Sequence, residues 1–146
     1  MILQLTPNTH PILHEKMKSC SEDLNRLEIS RILKENMIHY EGIGLSANQI
    51  GIGERVFVMM LNMETEETIT CFNPRIIKRY DDNVWCEEGC LSFPDEIINI
   101  QRPNRIVVKY EDEDKKDHKI KLDGLAARVF LHEYDHLQGI VFTERQ

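Results

Sequence analysis

The segment His132-Glu133-Tyr134-Asp135-His136 constrains this chain more than any other. An H-E-x-x-H pattern has chemical meaning on a helix, where a four-residue step is about one turn and both imidazoles point the same way. The surrounding residues predict that helix. Asp123 is a candidate N-cap, its carboxylate placed to accept from free backbone amides. Leu125, Val129, His132 and His136 follow at three- and four-residue spacing on one face, and Gly139 is positioned to end the helix.

Upstream, the apolar spacing of Leu24, Leu27, Ile32, Leu33, Met37 and Tyr40 predicts a second helix over 24–40, with Gly42 as its stop. A glycine-rich turn, GIGLSANQIGIG, leads into a predicted strand at 55–61. Further strands are expected at 68–72, 76–80, 97–100, 106–110 and 118–122, where HKIKL alternates most clearly. Pro74, Pro94 and Pro103 punctuate these runs. The acidic stretch at 64–67 and EDEDKKD at 111–117 read as solvated hairpin turns. The fold expected is therefore α+β: a single domain over 1–146, mainly antiparallel strands around a central C-terminal helix carrying H-E-x-x-H, with one N-terminal helix.

Two histidines leave a catalytic metal site one ligand short, because three protein ligands and an open position are usual. A third histidine on the extended helical pattern would fall at 142, where Phe142 stands. Glu144 is a weak downstream candidate. Upstream, Cys90 in EEGCLS is the best choice: Gly89 beside it leaves room for close backbone approach, and a Cys-His-His set suits zinc or ferrous iron. Cys86 competes; with both thiols bound the site would be closed and structural, and Glu133 idle. Cys20 and Cys71 read as small buried hydrophobes. A bound metal would lower the pKa of a water so that hydroxide is available near neutral pH, with Glu133 beside it to take the proton.

The formal charge of -7 argues against a nucleic-acid surface. Neither a signal-peptide pattern nor a run of 18 apolar residues is visible, so a reducing, cytoplasmic setting without membrane contact is expected.

Three motifs in order, Gly42-Ile43-Gly44-Leu45-Ser46-Ala47-Asn48-Gln49, Glu88-Gly89-Cys90-Leu91-Ser92 and His132 to His136, resemble those of peptide deformylases. The resemblance extends over nearly the whole chain. It implies one divalent ion, ferrous iron foremost with zinc, nickel or cobalt as substitutes, held by Cys90, His132 and His136. It implies Glu133 as general base and acid, and Gln49 with the Leu91 backbone N–H as stabilisers of the oxyanion. Ile43, Leu125, Arg128 and Val129 would line the pocket for the methionine side chain. The segment through Gly44 would run beside the peptide backbone, with Gly89 near it, while Glu88 and Arg102 would brace the metal loop. The implied reaction removes the formyl group from the N-terminal formylmethionine of new proteins and releases formate.

This sequence departs from the family pattern at Ser46, Phe93 and Arg128. Serine replaces a usual alanine at 46, and its hydroxyl needs a partner. At 128 an arginine replaces an apolar residue; its stem could lie on apolar surface with the charge sent outward, or it could narrow the pocket or favour an acidic residue further along the substrate. Only ten residues follow His136, which predicts a short form lacking a C-terminal helix, of a kind that viruses of bacteria also carry. A viral gene would place the protein in the host's cytoplasm. A monomer is expected, with ribosome association open. The competing functions are a small metallopeptidase, a metal-stabilised binding module and an inactive relative that binds formylated N-termini or the ribosome.

Overall fold

The computed structural model describes residues 1–146. Its first long element is helix α1 (Arg26–His39), capped by the Asn25 side chain, which accepts from the Glu28 amide at 3.1 Å. Seven strands follow: β1 (Gly44–Ser46), β2 (Val56–Asn62), β3 (Glu67–Arg79), β4 (Asn83–Cys90), β5 (Phe93–Pro103), β6 (Arg105–Glu111) and β7 (Asp117–Asp123). Helix α2 (Gly124–Leu137) carries the histidine motif. No helix is long and apolar enough to cross a membrane.

Strands β1-β2-β3-β6-β7 form one antiparallel sheet in that order, and β4-β5 form a separate hairpin. Alternation along β2 sends its side chains to opposite faces. Phe57 and Met59 join Cys71, Ile106 and Val108 against Ala127, Phe130 and Leu131 of α2, whereas Val56 and Val58 join Phe72 against Ile29, Leu33 and Met37 of α1. The sheet is thus held between the two helices. Its anchor on the α2 side is the edge-on pair Phe57–Phe130, with ring centroids 5.1 Å apart.

The α+β fold with antiparallel strands, one N-terminal helix and a motif-bearing C-terminal helix is the one expected. Several local readings need correction. Leu27 on α1 faces solvent, and Ile29 packs with Ile32, Leu33 and Met37 in the core. The strands at 68–72 and 76–80 are one strand, β3, whose register shifts between Phe72 and Arg75, so Pro74 sits at a bulge where its missing N–H costs no ladder bond. Strand β4 was not foreseen, since only Glu88 on it is buried and no alternation marks it. Asp123 occupies the N-cap position of α2, but its carboxylate makes no capping bond.

The expectation of a short form lacking a C-terminal helix is overturned. The C-terminal helix α2 is present in full and bears the metal motif. The residues after it also fold: a 3-10 turn, Phe142–Arg145, returns over the motif. Phe142 is buried with its ring centroid 5.7 Å from that of His132, and Arg145 reaches Asp135 through two bonds of 3.0 and 2.9 Å. Gly139 permits this reversal. Its φ is +77°, and a Cβ there would lie 2.8 Å from the backbone of His14 and Glu15.

Candidate metal centre

The β4–β5 hairpin meets the face of α2. The hairpin brings Cys90, α2 brings His132 and His136, and one ligand atom from each lies within 4.8 Å of the others. Cys90 Sγ is 3.4 Å from His136 Nε2. Two ligands bound to one tetrahedral zinc-sized ion at ordinary S and N distances would be about 3.5 Å apart, so the donor set fits one divalent ion. Cys86 is exposed, directs its thiol to the Glu87 carbonyl and stays outside the cluster, as does the exposed Glu144. Cys71 is buried and Cys20 half-buried, both away from the site.

The ligand orientations follow from their outer partners. His132 donates Nδ1–H to Glu88 Oε1 at 2.9 Å, which leaves Nε2 for an ion. Burial works against a charge on His132, but hydrogen bonds with Cys90 and Glu88 prevail and bring its pKa up to about 10. The site therefore favours positive charge, which a divalent ion would supply in place of the imidazole proton. Burial keeps His136 well below the usual histidine range, in the neutral form a metal needs. Its Nδ1 is buried without a partner.

Glu88 is the hub behind His132. Arg102 grips both its oxygens at 2.6 and 3.0 Å, and Arg128 Nη1 adds a third contact at 2.5 Å. Arg102 also holds Asp135 at 2.8 Å. Arg105, the other arginine nearby in sequence, pairs with Asp82 instead. Burial opposes ionisation of Glu88, yet the bonds from His132 and Arg102 outweigh it and hold its pKa at about 2. Because that value lies below the ordinary 4.5, the linked stability is fully present above pH 4.5 and is lost as pH falls towards 2. The shift corresponds to about 3 kcal/mol. Denaturant titrations at pH 7 and pH 3 should show native protein losing much of this increment, and E88Q, already weaker at pH 7, losing less than native because only the other paired carboxylates, such as Asp82 and Asp112, still titrate.

Glu133 is buried beside the histidines, with Oε1 unpartnered. Burial pushes its pKa up to about 7, against the pull of His132, and a bound cation would act in the same downward sense as His132. Such a carboxylate has the affinity needed to accept a proton from water near neutral pH. The glycine that makes room for it is Gly44 on β1. A Cβ at 44 would lie 2.7 Å from Glu133 Oε2, whereas one at Gly89 would meet nothing within 4 Å. The close approach assigned to Gly89 thus belongs to Gly44. The G44A variant should keep its metal and lose about a hundredfold in turnover, because it displaces the carboxylate by the order of an ångström. Metal analysis beside steady-state kinetics checks this.

Gln49 sits in the 3-10 turn Ala47–Ile50 after β1. Its Oε1 accepts from the Ser46 amide at 3.0 Å and from the Ser46 hydroxyl at 3.1 Å, the partner that hydroxyl required. Its Nε2 then faces Ser92 Oγ at 3.0 Å and Cys90 Sγ at 3.8 Å. Leu91 forms the turn between β4 and β5 directly after the ligand. Asn48, not singled out in the sequence, ties this segment to α2 by donating to the His136 carbonyl at 2.8 Å.

A cavity of about 630 Å³ opens onto the cluster. Ile43, Gly44, Gly89, Leu125, Arg128 and Val129 line it, together with Leu5 and Tyr40, which no motif marked. The outward course considered for the Arg128 charge is corrected: the guanidinium turns towards Glu88 and the hairpin. Asp135 and Arg145 complete the charged network. Asp135 lies inside the motif and could have been suspected there, whereas Arg145 carried no signal.

A glutamate and two histidines on one helix, a cysteine completing the ligand set and a cavity at its mouth define a metal-dependent hydrolase. The polypeptide deformylase family model matches residues 2–146. A peptide deformylase of a Thermotoga species is 39% identical over 137 residues, covering 92% of this chain and 81% of the relative. The chain belongs to the peptide deformylase family. The crystal structure of peptide deformylase from Thermotoga maritima superposes with a TM-score of 0.92 at 35% identity, covering 99% of this chain and 97% of that one. A class I type b peptide deformylase from Acinetobacter baumannii, solved with Met-Ala-Ser bound, superposes at 0.91 with 28% identity, covering 100% and 99%.

Proposed function

We propose that residues 1–146 act as one metallohydrolase domain that removes the formyl group from the N-terminal formylmethionine of nascent chains. The observation that carries this reading is the Glu133 carboxylate, buried with one oxygen unpartnered beside a three-ligand cluster at the mouth of a cavity. Cys90, His132 and His136 would hold the ion, with ferrous iron expected and zinc, nickel or cobalt as substitutes. Such an ion supplies Lewis acidity, acidifying a water and polarising a carbonyl.

The protein's residues supply the rest. Glu133 takes a proton from the attacking water. Gln49 Nε2 and the Leu91 N–H stabilise the negative charge that develops on the formyl oxygen. Glu133 then returns the proton to the departing amine, leaving formate and a free N-terminus. Strand β1 is the edge of its sheet, so the substrate backbone can add alongside Gly44 as a further strand. Ile43, Leu125, Val129 and the Arg128 stem receive the methionine side chain, with Gly89 at the rim. Glu88 and Arg102 keep His132 in its ligating tautomer. The Met-Ala-Ser bound by the Acinetobacter relative is the kind of peptide this arrangement suits.

A cytoplasmic, monomeric enzyme acting on chains as they leave the ribosome follows from this reading. Anaerobic purification, metal analysis and formate release from formyl-Met-Ala-Ser test it. Release of formate with the internal bonds left intact is expected. Cleavage at an internal bond instead would make the chain a metallopeptidase, and metal-replete protein with no hydrolysis would make it a binding module.

A further inference from the structure

We propose that Arg128 is a positioning residue that fastens the β4–β5 hairpin to α2 and so sets where Cys90 lies relative to His132 and His136. The inference rests on the metal-centre reading above and assigns a role that the methionine pocket alone would not require.

The hairpin is a problem for the site. It supplies one ligand, yet its two strands share no ladder with the main sheet. Its apolar attachment is small: Ile98, Ile100 and Phe142, with Cys90 and Phe93 packed against them. Its position on α2 must therefore be fixed largely by side chains. Glu88–His132 and Arg102–Asp135 each tie one strand to α2, and Arg128, one turn before His132, is the side chain that reaches both. Nη1 donates to Glu88 Oε2 at 2.5 Å and to the Ile100 carbonyl at 3.1 Å, and Nη2 donates to the Val84 carbonyl at 2.7 Å. One helical side chain thus grips both strands, two residues from Cys90 on one of them.

Charge balance does not explain the contact. Arg102 already grips both Glu88 oxygens, so a second guanidinium is not needed to neutralise that carboxylate. What Arg128 adds is the fork that reaches two carbonyls on different strands. A lysine ammonium is a point donor on a flexible stem and cannot reproduce this geometry, although it keeps the charge.

The test uses cobalt as both ligand and reporter. Native protein, R128K and R128M are loaded with Co²⁺. The near-ultraviolet thiolate-to-cobalt absorption, the rate of cobalt loss to a chelator and the melting temperature of each metal-free form are then measured. Both variants are expected to release cobalt about tenfold faster or more, the loss typical of disturbing a ligand's supporting partners, with a weakened or shifted thiolate band. Native-like release and an unshifted band in R128K would overturn the proposal whatever its melting temperature, because the role would then be one of fold stability alone. Should R128M fail to fold, R128K decides by the same readouts. Absence of any thiolate band in the native protein would defeat the metal-centre reading, and this proposal with it.

Discussion

Replacing Glu133 by alanine should abolish formate release while the metal content stays at that of the native protein. Glu133 lies outside the ligand cluster, so its loss removes no donor atom. It does remove the buried carboxylate that is placed to take and return the proton. General acid–base catalysis is worth about 10² to 10⁴-fold, and one residue serving both proton transfers belongs at the upper end. A fall in turnover of at least about a thousandfold is expected. E133Q separates charge from shape. It keeps the packing against Gly44 but cannot accept the proton, so it should be as inactive as E133A. Metal analysis, formate release and thermal melting of the three proteins check this. Substantial turnover by E133Q would show that another group handles the proton.

Replacing Cys90 by alanine should cost both the metal and the activity. The thiol is the single ligand from outside α2, and it sits 3.4 Å from His136 Nε2. Two histidines one turn apart can still bind an ion, but weakly and with two positions open to water. Dialysis against a chelator should strip C90A while leaving native protein loaded, and formate release should fall to background. C86A is the control. That thiol is exposed and outside the cluster, so C86A should keep its metal. Metal loss in C86A would move the ligand assignment to the other cysteine. Retention of both metal and activity by C90A would remove the basis for a three-ligand centre.

The two variants probe parts of the site that differed in how readily the sequence disclosed them. The histidine pair and Glu133 were legible because a helix fixes their relation within one turn. The β6 and β7 strands were legible for a similar reason, since alternation is a property of a short window of chain, and β2 was legible as a short apolar run. Strand β4 was not, because its outward face is solvated and its one buried side chain is a carboxylate. Nor could the sequence choose between Gly44 and Gly89 as the glycine required by a close approach. That depends on Glu133, 89 positions from Gly44 in the chain, arriving above one and not the other.

The sequence by itself determined the helix, the ligand types and the α+β arrangement, because these follow from local backbone periodicity and the chemistry of side chains at fixed spacing. The family resemblance already implied that Glu88 and Arg102 brace the metal loop, but the tertiary structure alone decided which further partners they meet. Glu88 meets His132, Arg102 and Arg128, and the chain's last turn closes over the motif through Phe142 and Arg145. A buried charge takes whichever opposite charge the fold delivers within reach, and spacing along the chain does not specify that meeting.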